Sequence, residues 1–247
     1  MPLPTSKLKT WLQLVRAPNL FTVPGDPLAG FLLASDGGAR ASGALVFAIA
    51  ASLCFYACGL LLNDLADLEE DRRDRPSRPL PSGAAKVQTV AQAAALLAVA
   101  GMALSFFAGP CAFFIGLALL IAVTFYDTLG KHIPLVAQLN MGACRGLSLL
   151  LGAGAASRPA APPFDSKPLI AALIVTIYIA GVTSLSRFET QFPKLPPLIG
   201  TLIRALLFMQ AAFCALSGTG WLGIVAALAL VALWPISRAV GKKFYAS

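Results

Sequence analysis

Residues 63 to 83 read NDLADLEEDRRDRPSRPLPSG and place six of the chain's eleven acidic residues within eleven positions. This density stands out in a chain that is 57% hydrophobic and only 12% charged. On a helix that turns about 100° per residue, four of the oxygen-bearing side chains fall on one face. These four are Asn63, Asp64, Asp67 and Asp71. The spacing therefore predicts a polar face at the end of a helix.

An amide and three carboxylates on one face are suitable ligands for Mg²⁺. This ion binds to a few carboxylates and keeps its other coordination positions for water and substrate phosphate oxygens. Arg75, Arg78 and Lys86 follow directly along the chain and add positive charge, which suits a phosphate group. The residues predict a Mg²⁺ site that also binds a diphosphate. The alternative is a solvated loop whose charges only mark the end of a helix.

The composition predicts a membrane protein. The mean hydropathy is +0.77, and the charged fraction is 12%, against roughly 25% in an average globular domain. Eight apolar runs are long enough to cross the roughly 30 Å hydrocarbon core of a bilayer. They cover residues 13–34, 43–63, 87–107, 109–127, 133–154, 168–186, 195–217 and 220–237. We therefore expect an all-α integral membrane protein with about eight transmembrane helices.

Lys and Arg residues are distributed unevenly among the predicted loops. With the amino terminus in the cytoplasm, 14 of them fall in cytoplasmic segments and three in external ones. Both termini are thus expected to be cytoplasmic. The net charge of +8 reflects topology, and we expect membrane lipids and no nucleic acid as partners. A Pro-rich stretch around 156–168 would separate two four-helix halves, about 1–130 and 131–247, of one transmembrane domain.

This topology brings three polar span ends to the cytoplasmic side. The acidic residues end the second span, Tyr126 and Lys131 end the fourth, and Glu189 ends the sixth. One site on that side is the simplest arrangement. Lys131 has two interpretations, since it could bind diphosphate or only set the topology. Asp127 could pair with Lys131 at i, i+4, which would make both residues structural.

Polar residues inside the apolar spans are further candidates, because such residues are costly in a bilayer and tend to face a cavity. Asn19 begins a polar stripe with Thr22 and Asp26 on the first span. Arg145 lies about 18 Å along its helix from the inner surface and should face the bundle interior, near Asn140 or another polar group. A second arginine, at position 204, lies nearer the inner surface and either reaches a diphosphate or extends to the interface.

The stretch 63–83 resembles the first aspartate motif of the UbiA family of intramembrane prenyltransferases, including the trailing RPLPSG. RAPNLFTVPGDPLAG at 16–30 and YDTLGKH at 126–132 are similar to family segments as well. With NMGACRGLSLLLGA at 140–153 and TSLSRFE at 183–189, the chain most resembles the UbiA-like EboC branch. That branch is encoded in a bacterial operon linked to export of a secondary-metabolite precursor, so the resemblance implies a bacterial inner membrane.

The resemblance implies a UbiA-like helical bundle, Mg²⁺ as cofactor, and transfer of an isoprenyl group from a prenyl diphosphate to a small hydrophobic, often aromatic, acceptor. We assign metal binding to Asn63, Asp64, Asp67 and Asp71. We assign catalysis to Asp67, Asp71, Tyr126 and Lys131. We assign substrate binding to Asn19, Asn63, Arg78, Asn140, Arg145, Glu189 and Arg204.

The sequence departs from the family pattern at the sixth span. The second aspartate motif expected there reads TSLSRFETQF, in which Glu189 is the only carboxylate, so we expect one Mg²⁺ site rather than two. The chain also has eight predicted spans, where family members usually have nine. The alternative function is a noncatalytic UbiA-like membrane protein that assists binding or export of a secondary-metabolite precursor.

Overall fold

The computed structural model describes residues 7–35, 43–128, 130–156, 166–188, 192 and 195–244, and these ranges contain helices and no strand. A short 3-10 helix at Gly130–His132 precedes α8. The α-helices are α1 (Lys7–Leu14), α2 (Ala17–Leu20), α3 (Gly25–Leu33), α4 (Gly43–Ala66), α5 (Leu68–Asp74), α6 (Val87–Ala108), α7 (Pro110–Thr128), α8 (Pro134–Ala156), α9 (Ser166–Ser186), α10 (Leu195–Ala215) and α11 (Trp221–Phe244).

Six helices in the described ranges are long and apolar enough to cross a membrane, namely α4, α6, α7, α9, α10 and α11. The predicted class, an all-α integral membrane protein, is confirmed. The sequence predicted about eight apolar spans, and six of the helices in the described ranges meet this length and hydropathy requirement. Helix α8 coincides with the fifth predicted span and has 23 residues, but Gln138, Asn140 and Arg145 make it more polar than the others.

The first predicted span, residues 13–34, is not one helix. It is divided among α1, α2 and α3. Arg16 adopts a left-handed backbone conformation, with φ 45°, between α1 and α2. Pro24 precedes α3 and cannot donate a backbone hydrogen bond, which interrupts a regular helix. The run that hydropathy counts as one span is therefore built from three short helices, because hydropathy does not register these backbone constraints.

Helix α8 lies at the centre of the bundle, where it packs against α3, α7 and α9. Its Leu149 belongs to a buried cluster with residues of α3, α9, α10 and α11. Two residues on, Leu151 belongs to a second cluster with residues of α4, α6 and α7. One helix thus contributes to both parts of the core. The division into halves near residue 130 stays a prediction.

Two glycines allow α3 and α8 to come into backbone contact. A Cβ atom on Gly152 would lie 1.9 Å from the carbonyl oxygen of Pro27, and one on Gly30 would lie 1.8 Å from that of Leu149. Real Cβ atoms do not approach so closely, so a larger residue at either position would push the helices apart. The close approach fixes the broken first segment against the central helix.

Candidate functional site

The acidic end of the bundle, residues Asn63 to Asp71, lies where α4 passes into α5. Asp67 stands between the two helices with φ −89° and ψ 3°. The hydrogen-bond ladder nevertheless continues, because the Asp67 N–H donates to the Asn63 carbonyl at 2.9 Å and the Asp71 N–H donates to the Asp67 carbonyl at 2.8 Å. The helical spacing on which the predicted polar face depends is therefore preserved across the junction.

Positive side chains already face the three aspartates of the acidic end. Arg78 donates from Nη1 to Asp71 Oδ2 at 2.7 Å and lies 4.0 Å from Asp64 Oδ1. Lys131 donates from Nζ to Asp67 Oδ1, which links the 3-10 helix after α7 to the end of α4. Of the cations considered from the sequence, Arg78 and Lys131 are thus brought to the acidic end.

The RPLPSG segment is folded into turns that place Arg78. Its backbone N–H groups at Ser82 and Gly83 donate to the carbonyls of Arg78 and Leu80. Gly83 adopts φ 77°, a conformation that glycine takes without strain. Leu80 is buried in a cluster with residues of α1, α4 and α6. The segment is therefore anchored in the bundle, which holds the Arg78 guanidinium over the aspartates.

The donor set at the acidic end fits Mg²⁺ by its chemistry. The side chains of Asp64 and Asp71 are only 14% and 7% exposed, and carboxylates at such depth need a cation beside them. Arg78 and Lys131 provide that charge in the structure. No group of three or more His, Cys, Asp or Glu residues in the described ranges is arranged to hold a metal ion. The carboxylates thus have the chemistry that Mg²⁺ needs, but in this structure Asp67 and Asp71 are paired with side-chain cations.

An apolar cavity of about 110 Å³ begins at the acidic end and extends into the bundle. Ser52, Phe55, Gly59 and Asn63 line it from one face of α4. Ser52 and Asn63 are eleven residues apart, which corresponds to about 16 Å along a helix. Its other walls come from α7, α8 and the segment before α3, and they include Val23, Leu119, Val123, Met141 and Cys144.

Tyr126 and Asp127 line the cavity where it meets the acidic end. Asp127 is 6% exposed, and its Oδ1 has no hydrogen-bond partner among the described residues. Lys131 pairs with Asp67 and not, as one sequence interpretation had it, with Asp127. Asp127 was considered from the sequence only as a structural partner, although a carboxylate at the end of an apolar run is a usable signal.

Arg16 is a further cavity residue that sequence reasoning missed as a site residue. The sequence analysis used Arg16 only as one of the positive residues that orient the chain in the membrane. It lines the same cavity as Asn63 and Asp127, so its positive charge belongs to the acidic end of the cavity. The signal that could have found it is its position at the start of the RAPN segment, where a proline two residues later interrupts the helix.

A buried polar network crosses the middle of the bundle. Arg145 Nε lies 2.9 Å from Asp26 Oδ2, and Arg145 Nη2 donates to the Thr22 carbonyl at 2.9 Å. Gln210 donates from Nε2 to Asp26 Oδ1 at 2.6 Å and to the same Thr22 carbonyl at 2.8 Å. Arg145 therefore faces the interior as predicted, but its partner is Asp26 and not Asn140. Arg145 also lines the cavity.

Among the described residues, the predicted substrate residues Asn19, Asn140 and Arg204 do not line the cavity. Asn140 donates to the Ala122 carbonyl and joins α8 to α7. Asn19 is buried with its side-chain oxygen unpartnered in the described structure. Arg204 contacts Thr201 at 3.4 Å. Glu189 lies outside the described residues. Their substrate roles stay predictions.

Fold and site together define an all-helical membrane protein with an acid-rich end that opens onto an apolar cavity. The chain belongs to the UbiA prenyltransferase family, since the sequence model of that family matches residues 27–244. The family predicted from the sequence motifs is thereby confirmed.

Curated relatives are digeranylgeranylglyceryl phosphate synthases of archaea. The one from Methanocaldococcus jannaschii is 38% identical over 102 residues, which cover 41% of this chain and 35% of that protein. The one from Saccharolobus solfataricus is 29% identical over 176 residues, which cover 71% of this chain and 60% of that protein. The chain thus aligns with about a third to three-fifths of these relatives. They do not single out the EboC branch.

Solved structures share the fold. A structure of digeranylgeranylglyceryl phosphate synthase in membranes superposes with a TM-score of 0.60 at 19% identity, covering 98% of this chain and 94% of that one. A UbiA homolog from Archaeoglobus fulgidus bound to GPP and Mg²⁺ gives a TM-score of 0.62 at 15% identity, covering 95% and 87%. A further structure of that homolog is bound to DMAPP and Mg²⁺.

Proposed function

We propose that this chain is an intramembrane prenyltransferase that moves an isoprenyl group from a prenyl diphosphate to a small hydrophobic or aromatic acceptor, with Mg²⁺ as cofactor. One observation carries the proposal. The acidic end, with Arg78 and Lys131 on its carboxylates, adjoins an apolar cavity lined by Asn63 and Tyr126. The diphosphate group of a donor would thus bind at the acidic end, and its isoprenyl chain would lie in the adjoining cavity. The Archaeoglobus homolog bound to GPP and Mg²⁺ supports this assignment.

Different residues of the site would bind the metal, bind the diphosphate and exclude water. Asn63, Asp64, Asp67 and Asp71 would hold Mg²⁺, which stabilises the charge of the leaving diphosphate. Arg78 and Lys131 would turn from the carboxylates to the phosphate oxygens and donate charged hydrogen bonds to them. The Tyr126 hydroxyl group would face the same end of the donor. The apolar wall, with Leu60 and Val123, would exclude water from the allylic cation.

Asp67 and Asp71 provide the test. The double variant Asp67→Asn/Asp71→Asn removes two charges from the predicted metal face while keeping side-chain size. Prenyl transfer from a labelled prenyl diphosphate should fall at least 100-fold in membranes that contain equal amounts of inserted protein. The physical reason is the loss of charged ligands for the cation that stabilises the diphosphate.

Glu70→Gln is the matched control, because Glu70 is an exposed acid in the same segment. It should keep full transfer. Unchanged transfer in the double variant would overturn the proposed site. An absence of transfer in the unaltered protein with every donor and acceptor tried would favour the second function.

The second candidate function is a noncatalytic membrane protein that binds a lipid or a secondary-metabolite precursor and assists its export. Two observations favour it. Asp67 and Asp71 already have cationic partners, and the TSLSRFE segment offers no second aspartate motif. We also propose that the chain belongs to the EboC branch and that it lies in a bacterial inner membrane with both termini in the cytoplasm.

A further inference from the structure

A second pocket, the side pocket, lies beside the apolar cavity, between the ends of α4 and α7. It is lined by Leu62, Leu65 and Ala66 of α4 and by Thr124, Asp127 and Thr128 of α7. Its volume is about 320 Å³, more than the roughly 150 Å³ that accommodates one benzene ring. The side pocket therefore has room for a small ring close to the acidic end.

Asp127 lines both the side pocket and the apolar cavity. On a helix that turns about 100° per residue, the cavity residues Val123 and Tyr126 lie about 40° and 100° to one side of Asp127. Thr124 and Thr128 of the side pocket lie about 60° and 100° to its other side. The Asp127 carboxylate thus stands where the two spaces meet.

One oxygen of the Asp127 carboxylate is left without a donor. Asp127 is 6% exposed, and its Oδ1 has no hydrogen-bond partner among the described residues. The Thr124 and Thr128 hydroxyl groups do not serve it, because they donate to the Leu120 and Thr124 carbonyls of their own helix, each at 2.9 Å. A buried polar atom without a partner is costly, so Asp127 offers an acceptor that the hydroxyl group of a ligand can satisfy.

The chemistry of the side pocket suits a neutral molecule with a hydroxyl group. Leu62, Leu65 and Ala66 give it an apolar wall. None of the described residues that line it is Lys or Arg, so an anionic group there would meet the Asp127 carboxylate without a compensating charge. An ammonium group would lose more hydration than a hydroxyl group on entering such a pocket. A phenol or an alcohol meets both requirements.

We propose that the side pocket binds the acceptor of the transfer reaction and that Asp127 accepts a hydrogen bond from the neutral hydroxyl group of that acceptor. The isoprenyl chain of the donor lies in the adjoining cavity, so donor and acceptor meet beside Asp127. The inference rests on the proposed function and names the class of acceptor. It gives Asp127 a role in binding and orienting the acceptor.

The test uses the full chain in lipid nanodiscs and three photoreactive probes. These are meta-hydroxybenzophenone, meta-methoxybenzophenone, which cannot donate a hydrogen bond, and meta-carboxybenzophenone, which is anionic. After irradiation, mass spectrometry locates the labelled residues, and labelling of α9 serves to normalise the three probes. Labelling within residues 62–66 and 124–128 should be at least about fivefold stronger with the hydroxyl probe than with the other two, since only that probe donates to the carboxylate.

Asp127→Leu removes the hydrogen-bond acceptor and should abolish the preference for the hydroxyl probe. Asp74→Leu is the matched control, because Asp74 is an exposed acid at the end of α5 that lines neither space. It should keep the preference. Thr124→Phe provides a second test if Asp127→Leu does not fold, since Thr124 is exposed and a ring at this position occupies the side pocket. It should lower labelling by the hydroxyl probe at least about fivefold.

Equal labelling by the hydroxyl and methoxy probes in the unaltered chain would overturn the proposed acceptor site. So would a hydroxyl preference that persists in Asp127→Leu. Any acceptor found to be prenylated should block the labelling, and prenylation without such protection would also contradict the site.

Labelling needs no turnover, so its failure is separate from a failure of prenyl transfer. If the labelling fails in a chain that transfers a prenyl group, the acceptor site is wrong and the proposed function stands. Hydroxyl-dependent labelling in a chain that transfers no prenyl group would support the binding site and contradict the transfer reaction.

Discussion

Arg78 is the residue on which the charge balance of the acidic end most depends. Its guanidinium bonds Asp71 and lies near Asp64, and it is held there by a folded segment rather than by its own helix. A planar guanidinium can serve two carboxylates, or two oxygens of a phosphate, at fixed angles. A lysine at the same place would supply charge without that geometry.

Arg78→Lys should weaken binding of a prenyl diphosphate about 10- to 100-fold, because a charged hydrogen bond is worth roughly 1.5–3 kcal/mol. The measurement is the concentration of donor that protects the protein from thermal unfolding in the presence of Mg²⁺. Arg72→Lys is the control, since Arg72 is exposed and forms its salt bridge, within the described ranges, with the exposed Glu69. Equal affinity in the two variants would contradict the assigned role of Arg78.

For single residues, the sequence predicted groups that are related by helical spacing and missed contacts between residues far apart in the sequence. The face formed by Asn63 and Asp71 follows from helical spacing, which the sequence displays directly. The partners of Arg145, which are Asp26 and the Thr22 carbonyl, do not follow from spacing. Thr22 lies 123 positions away, and only the tertiary fold brings it near. Gln210 was overlooked, although a lone amide in the apolar run LLFMQAAF is costly enough to indicate a partner.

At the scale of elements, the contact between α3 and α8 is set by glycines. Gly152→Ala should destabilise the protein by about 1–3 kcal/mol, since the new methyl group would overlap the Pro27 carbonyl and force the helices apart. Gly181→Ala on α9 is the matched control, because nothing lies within 4 Å of its added Cβ. It should be neutral or stabilise by up to about 1 kcal/mol through helix propensity.

Thermal unfolding in one detergent compares the two glycine variants. If both lower the unfolding temperature equally, the effect belongs to helical glycines in general and not to this crossing. The sequence could not supply this distinction. It predicted α8 as a span, but α3 is part of a predicted span that does not form one helix.

At the scale of the whole molecule, the buried pair of Arg145 and Asp26 connects the first segment to the centre of the bundle. Arg145→Met should cost about 3–5 kcal/mol, because it leaves the fully buried Asp26 carboxylate without its cation. The double variant Arg145→Met/Asp26→Asn removes both charges and should recover most of that loss. Thermal unfolding of the single and double variants measures the difference.

If the losses of stability from Arg145→Met and Asp26→Asn add up in the double variant, the pair acts only through packing.

The class of fold could be predicted from hydropathy, and the acidic end from its motif. The contact between the first segment and α10 could not be predicted. Gln210 and Thr22 are 188 positions apart, and no periodic pattern relates them.

The Thr22 carbonyl lies where the first segment leaves helical geometry, since the Asp26 N–H donates to Val23 instead. Its hydrogen bonds come from Arg145 and Gln210. A backbone carbonyl inside a membrane needs a hydrogen-bond donor from the protein, and for this carbonyl the donors lie on α8 and α10. The Thr22 carbonyl has both hydrogen bonds only when both helices are in place, so the packing of the first described segment depends on residues far along the sequence.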